Sequence, residues 1–372
     1  MAATRDPTEA MIRSMLRMQR AGSSLTAEGR RSLERLFAKL QADLVRLDPT
    51  GVQKRYQALR MDKFFKEMAG TVREWTPEHE KILRDGLVEI GRAQSVAAAD
   101  ALVVSLGGPV VAAQVAGAIV PGITQQRLRA ILNTEPFEGR LLAGHVKKIG
   151  VNIVDKTMVQ IRIGMTNEES IRDIVGRVRG ILGTSTRETE ALVRTAVTQV
   201  SGKGQLATLR ANKDVVSLVR YVATLDDRTT EECFELDGKV WPVDSPEIVE
   251  PGFHWGCRSA LVGEIDWAQF GLEPPPEGER FARDMSSVAP ADLKKSVAAR
   301  RRMGLKGLGQ RAQVPAKMTG EQWLKQQSAA VQNKVLGRGK AELFRSGQIT
   351  LKDLIRRDRT VRPLREVLKR VG

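Results

Sequence analysis

The fold is decided by three neighbouring segments, Thr224-Leu-Asp-Asp-Arg-Thr-Thr-Glu-Glu-Cys233, Leu236-Asp-Gly-Lys-Val-Trp241 and Pro251-Gly-Phe-His-Trp-Gly-Cys-Arg-Ser259. In the first segment, the side chain of Asp226 or Thr229 can cap a short helical turn, because each offers an oxygen to free backbone N–H groups. The Asp-Gly pair in the second segment is typical of a hairpin turn between two strands. Together the segments predict a compact clip within a small α+β module.

Three soft metal ligands fall in this clip. His254 and Cys257 are three residues apart and can face Cys233. Neutral imidazole and thiolates suit zinc, but a structural zinc site normally has four ligands, and only Asp226 or Asp237 is left as an irregular fourth. Packing of two reduced thiols is therefore the leading interpretation. A structural zinc ion and an oxidised Cys233–Cys257 pair are the alternatives.

The same segments resemble the phage Mu F-like family of head morphogenesis proteins, also called SPP1-type minor head proteins. The shared pattern is a strand ending in Thr-Leu-Asp-x-Arg-Thr, a Cys, a Leu-Asp-Gly hairpin and Pro-x-x-His-x-x-Cys-Arg, matched here from Thr224 to Arg258. The resemblance includes Leu192–Gln199 and Trp323–Gln327, and covers about residues 131–265 and 318–368. The motif residues are Arg194, Thr195, Thr224, Asp226, Arg228, Thr229, Asp237, Gly238, Arg258 and Trp323.

One position departs from the family pattern. Many members have a Cys directly after the Arg-Thr pair, which completes a four-ligand set, and here that position is Thr230. The resemblance therefore does not imply an intact zinc site. For the charged residues of the motif, ion pairs or caps that fix loops are favoured over catalysis. These residues are Arg194, Asp226, Arg228 and Arg258.

The composition points to an anionic partner. The 372 residues carry a formal net charge of +16, which favours binding to a polyanion such as DNA. Aromatic residues make up only 4%, so contacts to phosphates are expected rather than stacking on bases. Two cysteines are too few for a disulfide framework, and the first ten residues lack the apolar core of a signal peptide. Assembly in the cytoplasm is the expectation.

The predicted fold class is mainly α with a small α+β module. Residues 1–130 are expected to form a helical N-terminal domain and residues 131–272 the Mu F-like module. A Pro-rich and basic linker is predicted at 273–317, and a helical C-terminal segment at 318–372.

Helical periodicity defines the first part of the chain. Apolar residues at helical spacing predict an amphipathic helix over Thr26–Leu47. A second helix is expected to begin with Thr76 as N-cap and Pro77 at its first position. The apolar stretch Val96–Val120 is long enough to cross a bilayer, but its Gly-Gly-Pro sequence favours two buried helices joined by a turn.

The central part combines helices with strands. Helices are predicted at Leu141–Ile163 and Asn167–Leu182, followed by a turn at Gly183–Thr186. Alternating valines and an aromatic residue predict a strand at Ser217–Leu225. The other two histidines, His79 and His145, are expected to lie far from the clip, in helices.

A basic segment follows a stiff linker at Glu273–Gly278. It runs from Lys294 to Lys317 without an acidic residue, and is expected to be mobile and solvated. Such a segment gains most from a polyanion, so it is expected to bind DNA or an acidic partner. The expected contact residues are Lys294, Lys295, Arg300, Arg301, Arg302 and Lys306.

The resemblance implies a minor head protein present in few copies at or near the portal vertex of the procapsid. Its expected partners are the portal protein, the major capsid protein or scaffold, and packaged double-stranded DNA, with no membrane. It is expected in the virion, and in the host cytoplasm during assembly, and to have no catalytic residue. The rivals are a metal-dependent hydrolase or transferase built on Cys233, His254 and Cys257, and a free-standing DNA-binding protein.

Overall fold

The computed structural model describes residues 7–47, 54–274, 276–294 and 310–371. It is 65% helical with two small antiparallel sheets, which confirms the predicted class, mainly α with a small α+β module. The helices are α1 Pro7–Leu47, α2 Lys54–Ser105, α3 Pro109–Ala116, α4 Gln125–Thr134, α5 Leu142–Thr166, α6 Ile171–Ala211, α7 Glu231–Leu236, α8 Pro290–Lys294, α9 Gly320–Lys325, α10 Ala329–Leu336, α11 Arg338–Arg345, α12 Leu351–Leu354 and α13 Leu364–Val371. The strands are β1 Val216–Val222, β2 Val240–Pro242, β3 Ala260–Ile265, β4 Glu279–Asp284 and β5 Gln310–Pro315, and a 3-10 turn spans Ala268–Phe270.

The four long helices α1, α2, α5 and α6 pack against one another, with α4, around one apolar core. Leu33, Leu83, Val146 and Ile174 are each fully buried in it. Burial of one such side chain contributes about 1.5–3 kcal/mol, so this core is a major source of stability. The core includes side chains from both sides of residue 130, where a domain boundary is predicted. The predicted domain limits remain predictions.

Helix α1 confirms the amphipathic helix predicted at Thr26–Leu47 and extends it back to Pro7. The predicted apolar stripe faces the bundle. Its buried members are Leu33, Leu36, Phe37, Leu40 and Leu44.

Pro77 lies inside α2, so the predicted helix start at Thr76 is wrong. The Thr76 hydroxyl instead donates to the Val72 carbonyl oxygen at 2.8 Å. A proline inside a helix removes one N–H donor and costs about 3 kcal/mol. The helix continues because Val72, Trp75 and Leu83, on both sides of the proline, are buried in the bundle core.

Helix α5 agrees with the predicted helix, but α6 is continuous where a turn was predicted at Gly183–Thr186. That prediction is wrong because Ile181, Ser185 and Thr189 continue the buried stripe of α6 at four-residue spacing. A Cβ atom on Gly183 would meet nothing within 4 Å, so this glycine faces outward and leaves the packing undisturbed.

The stretch Val96–Val120 forms the end of α2 and the whole of α3, which confirms two helices joined by a turn. Gly107 and Gly108 in the turn have φ angles of 100° and 108°, a region that favours glycine. Val110 is 69% exposed, so α3 is less buried than predicted. Among the described residues, no helix combines the length and apolar character that a membrane span needs.

The first sheet has the order β2-β1-β3, with both outer strands antiparallel to β1. Val219 lies opposite Trp241 on one side and Gly263 on the other. Helix α7 lies between β1 and β2, so the predicted hairpin turn at Asp237-Gly238 is wrong: the pair joins a helix to a strand. Gly238 still reverses the chain, with a φ of 86°. The helix forms because Cys233, Phe234 and Leu236 give its one and a half turns a buried face.

The second sheet pairs β4 with β5, with Phe281 opposite Gln313. Both strands lie in the predicted linker, so the expectation of a mobile segment is wrong for Gln310–Pro315. These strands form because Arg280 and Ala282 are buried on one face of β4. Lys294 ends α8. The other predicted contact residues, Lys295, Arg300, Arg301, Arg302 and Lys306, lie outside the described residues.

The C-terminal segment is helical, as predicted. Its first helix, α9, begins at a capping box in which Thr319 and Gln322 satisfy each other's backbone N–H groups. Trp323 and Leu324 on α9 join Phe344 and Leu354 in an apolar cluster with Phe234 of α7. The segment therefore packs directly on the helix that carries Cys233.

Candidate functional site

Cys233, His254 and Cys257 lie together, as the sequence predicted. Cys233 projects from α7, whereas the other two lie on the loop between β2 and β3. The Sγ of Cys233 is 2.9 Å from Nε2 of His254 and 3.8 Å from Sγ of Cys257. All three possible ligand atoms lie within 4.8 Å of one another.

Three hydroxyl groups surround this Cys-His cluster. The Tyr221 hydroxyl lies 3.4 Å from Sγ of Cys233 and 3.8 Å from Sγ of Cys257. Ser259 donates to Sγ of Cys233 at 3.3 Å, and the Thr230 hydroxyl lies 3.4 Å from Nε2 of His254. Tyr221 and Ser259 are absent from the predicted site, although the alternation of β1 places the tyrosine on one face with Val219.

The cluster fits part of a zinc site. Two thiolates bound to one tetrahedral zinc at about 2.3 Å lie about 3.8 Å apart, which matches the two sulfur atoms. The same geometry needs about 3.6 Å between sulfur and the imidazole nitrogen, so His254 would have to move outward. The three residues can therefore hold a metal ion, with Thr230 beside His254 where a fourth soft ligand is missing.

The thiols differ in their electrostatics. Burial raises the pKa of Cys233 well above its usual range, and Cys257 adds to the rise. The pKa of Cys257 is lowered well below its usual range, because Cys233 donates a hydrogen bond to it and His254 lies beside it. Burial lowers the pKa of His254, but the bond to Cys257 and its charge outweigh burial and raise it. These opposite shifts favour ionisation of Cys257 over ionisation of Cys233.

Helix α6 holds the loop that carries His254 and Cys257. The Thr198 hydroxyl donates to the Cys257 carbonyl oxygen at 2.7 Å. The Gly256 N–H donates to the Thr195 hydroxyl at 3.3 Å, which gives this motif residue a structural role. Gly252 lies so close to α6 that a Cβ atom there would be 2.6 Å from the backbone nitrogen of Gln199.

Asp226 forms a buried ion pair with Arg258. Two guanidinium nitrogens of Arg258 donate to its two carboxylate oxygens, at 2.7 and 2.5 Å. Burial raises the pKa of Asp226, but Arg258 and Arg228 outweigh it and lower the value to about 2. Asp226 caps the short turn before α7, as predicted, whereas the N-cap of α7 itself is Thr230. The side-chain oxygens of Asp226 and Thr229 are used inside the loop.

The loop before α7 is fixed by its own hydrogen bonds. Asp226 Oδ1 accepts from the Arg228 N–H at 2.9 Å, and the Thr229 hydroxyl donates to the Thr224 carbonyl oxygen. The Thr224 hydroxyl donates to the Arg258 carbonyl oxygen at 2.8 Å. The motif residues of this loop thus tie the first and third segments of the clip together.

Asp237 is bound to a residue that the sequence did not identify. Arg280 on β4 donates two hydrogen bonds to its carboxylate, at 3.0 and 2.7 Å. The side chains are 0% and 1% exposed. The Ala223 N–H also donates to Asp237, at 2.6 Å. This buried pair therefore joins the clip to the second sheet.

The C-terminal helices contact α7 and the loop before it. Trp323 stacks on Phe234 with ring centres 5.4 Å apart, and its indole N–H donates to the Arg283 carbonyl oxygen. Lys340 pairs with Glu231 at 2.9 Å, and Lys334 pairs with Asp227. These contacts hold the helix that positions Cys233.

Two predicted positions fall outside this arrangement. Arg194 is half-exposed on α6, where it pairs with Glu190. His145 lies closer to the clip than predicted: its ring packs edge-on against Trp255, with centres 5.8 Å apart. This proximity arises because α5 runs alongside α6, which supports the same loop.

Residues 152–262 match the family described as phage Mu protein F like protein. The matched region runs from α5 to β3 and includes the Cys-His cluster and the Asp226–Arg258 pair. It confirms the resemblance there, over less than a third of the chain. No curated protein and no solved structure shows a significant match.

Proposed function

We propose that this phage head morphogenesis protein is a minor structural protein of the virion. The proposal starts from the phage Mu protein F-like region at residues 152–262. The protein acts in procapsid assembly at or near the portal, with the portal protein and with the major capsid protein or scaffold. Packaged DNA is a further partner.

The observation that carries this proposal is how the motif residues are used. Asp226 and Arg258 are buried against each other, and Asp237 is buried against Arg280. Both thiols of the cluster are almost completely buried, with Cys233 2% and Cys257 1% exposed. Buried polar groups that pair with each other cannot reach a substrate, and they stabilise the fold. This use favours a structural protein over an enzyme.

One observation supports the rival, a metal-dependent hydrolase or transferase. Thr230 stands beside His254 where a fourth soft ligand would close a zinc site, and catalytic zinc sites keep one position open. If a metal ion is bound, we propose a structural ion and not a catalytic one, because the two cysteine ligands are buried. A stoichiometric metal with hydrolytic turnover that is lost in Cys233→Ser would favour the rival.

The proposed DNA contact is supported by charge. The chain carries a net charge of +16, and the packaged genome is the largest polyanion in a phage head. The acid-free segment that ends at Lys317 fits the same role. Contact through phosphates would be independent of base sequence.

Co-assembly with phage heads tests the proposed function. The tagged protein is expressed with the portal, capsid and scaffold proteins of its own phage, and procapsids are purified by sedimentation. We expect the protein to sediment with procapsids in few copies, and to be lost when the portal protein is omitted. Free protein at the top of the gradient in both cases would contradict the proposal.

A matched pair of variants makes this test specific to the clip. Arg258→Ala removes the buried guanidinium that holds Asp226 and leaves that carboxylate only the exposed Arg228, so it should abolish incorporation. Lys325→Ala removes an exposed ion pair on α9 and should incorporate normally. Equal incorporation of the two variants would show that the clip is not needed for assembly.

A further inference from the structure

We infer that the groove between α1 and α6 binds a phosphodiester group of duplex DNA. The groove encloses a cavity of about 460 Å³. The inference rests on the proposed function for one point, namely that packaged DNA is the source of the phosphodiester. It concerns residues outside the Cys-His cluster and outside the basic segment.

The groove has an apolar floor and polar walls. Gly22 of α1 lies directly above Val197 of α6, and a Cβ atom on this glycine would be 3.0 Å from the valine side chain. Because Gly22 has no side chain, the space above Val197 stays open. Arg20 and Gln19 on α1 form one wall. Arg194 and Glu190 on α6 form the other, so the space is bordered by three hydrogen-bond donors and one carboxylate.

One of these donors has no acceptor. The side-chain nitrogen of Gln19 is enclosed, and it has no hydrogen-bond partner among the described residues. An enclosed N–H group without an acceptor is costly, and most such groups in folded proteins are satisfied. A ligand that offers an oxygen would satisfy it.

The two arginines provide the charge. Arg20 is exposed and forms no ion pair within the described part of the chain. Arg194 is 50% exposed, and its recorded partner is Glu190 at 2.6 Å. The exposed guanidinium of Arg194 donates to Glu190 through one nitrogen, so its other N–H groups can bind an external anion. A guanidinium can hold one acid and still donate from its other N–H groups.

The charge balance selects the class of anion. Arg20 and Arg194 contribute two positive charges and Glu190 one negative charge, which leaves +1. A phosphodiester carries one negative charge, whereas free phosphate carries more near neutral pH. An acidic protein partner is disfavoured, because protein interfaces rely on exposed apolar or aromatic anchors and here the apolar side chain of Val197 lies at the floor.

The surroundings extend the basic surface along both helices. Arg17 precedes Arg20 by three residues on α1, and Arg187 precedes Arg194 by seven on α6; both are exposed. Residues three and seven apart share a helix face, so each arginine of the groove has a basic neighbour on its own helix. A nucleic acid backbone offers repeated phosphates to such a surface.

The test measures duplex DNA binding by the full chain at several salt concentrations. We expect Arg20→Gln with Arg194→Gln to weaken binding about tenfold and to lower the slope of log K against log salt by about one, the value for one lost phosphate contact. Lysine at both positions should restore the slope, because it keeps the charge. Unchanged affinity and slope in the glutamine variant would overturn the inference.

Two controls separate the explanations. Arg357→Gln with Arg365→Gln removes the same charge from exposed C-terminal positions, and an equal loss there would overturn the inference in favour of net charge alone. A contrary outcome is that inorganic phosphate stabilises the wild-type protein but not the glutamine variant, while both proteins bind DNA equally well. That outcome would overturn the inference and assign free phosphate as the ligand of the groove. If procapsid incorporation fails but the glutamine variant still loses DNA affinity, the groove stands and the proposed head function falls.

Discussion

At the scale of single residues, the buried ion pair between Asp237 and Arg280 makes the sharpest prediction. Arg280→Met leaves the Asp237 carboxylate buried without a charged partner, which costs about 3–5 kcal/mol. We expect this loss in the free energy of unfolding measured with urea. Lys325→Met removes a pair whose lysine is 54% exposed and should cost less than about 0.5 kcal/mol. Similar values for both variants would show that Asp237 is not held by Arg280.

The same pair marks the limit of sequence analysis for the site. His254 and Cys257 could be placed near Cys233, because short spacings and a turn brought them together. Arg280 lies 43 residues from Asp237, in a segment that was predicted to be a linker. The sequence pattern predicts that Tyr221 lies in a strand, but it does not show that the tyrosine hydroxyl contacts both thiols. Contacts made by tertiary packing leave no local pattern.

At the scale of elements, the approach of the 251–259 loop to α6 makes a second prediction. Gly252 has a φ of 96°, and a Cβ atom there would clash with the α6 backbone. Gly252→Ala should therefore push the loop away and make Cys257 react with a thiol reagent about tenfold faster than in the control. The control, Gly256→Ala, shares the positive φ of 72° but meets nothing within 4 Å.

Mass spectrometry of the labelled peptides gives the rate at Cys257 separately from Cys233. Backbone strain alone acts in both variants, so it cancels in the comparison. Equal labelling rates would mean that contact with α6 does not hold the loop.

The elements also show which parts of the fold could be predicted. The helix over Thr26–Leu47 could be predicted, because the apolar residues that recur at helical spacing in α1 are also the buried ones. Pro77 and Gly183–Thr186 predict helix boundaries, but the buried face of the helix continues through both. Packing of a long helix outweighs a local signal. The pairing of β4 with β5 was missed because residues 285–309 separate the two strands in the sequence.

At the scale of the whole molecule, His79 predicts how stability depends on pH. It is fully buried in the helical bundle, stacked on Trp75, and neither ring nitrogen has a partner among the described residues. Burial lowers its pKa from 6.5 to about 4. The unfolded chain therefore binds a proton that the folded chain excludes, so stability is complete above pH 6.5 and falls as the pH drops toward 4.

We expect the protein to lose about 2 kcal/mol of unfolding free energy between pH 7 and pH 5 through this residue. His79→Phe keeps an aromatic ring against Trp75 but cannot titrate. Urea unfolding at both pH values should show a loss that is smaller by this amount in the variant, because the other titrating groups are common to both proteins. Parallel losses in the two proteins would contradict the assignment.

The first turn of α1 is bound by residues that lie more than 200 positions later in the sequence. The Arg220 guanidinium donates to the Thr8 hydroxyl at 3.1 Å, and the Phe281 N–H donates to the Glu9 carboxylate at 2.9 Å across 272 residues. Ribosomes add about 5–20 residues per second, so Glu9 waits roughly 14–54 s after its own synthesis before its partner exists. The bundle can form during translation, whereas closure of its first turn onto β4 comes late because it joins residues of long sequence separation.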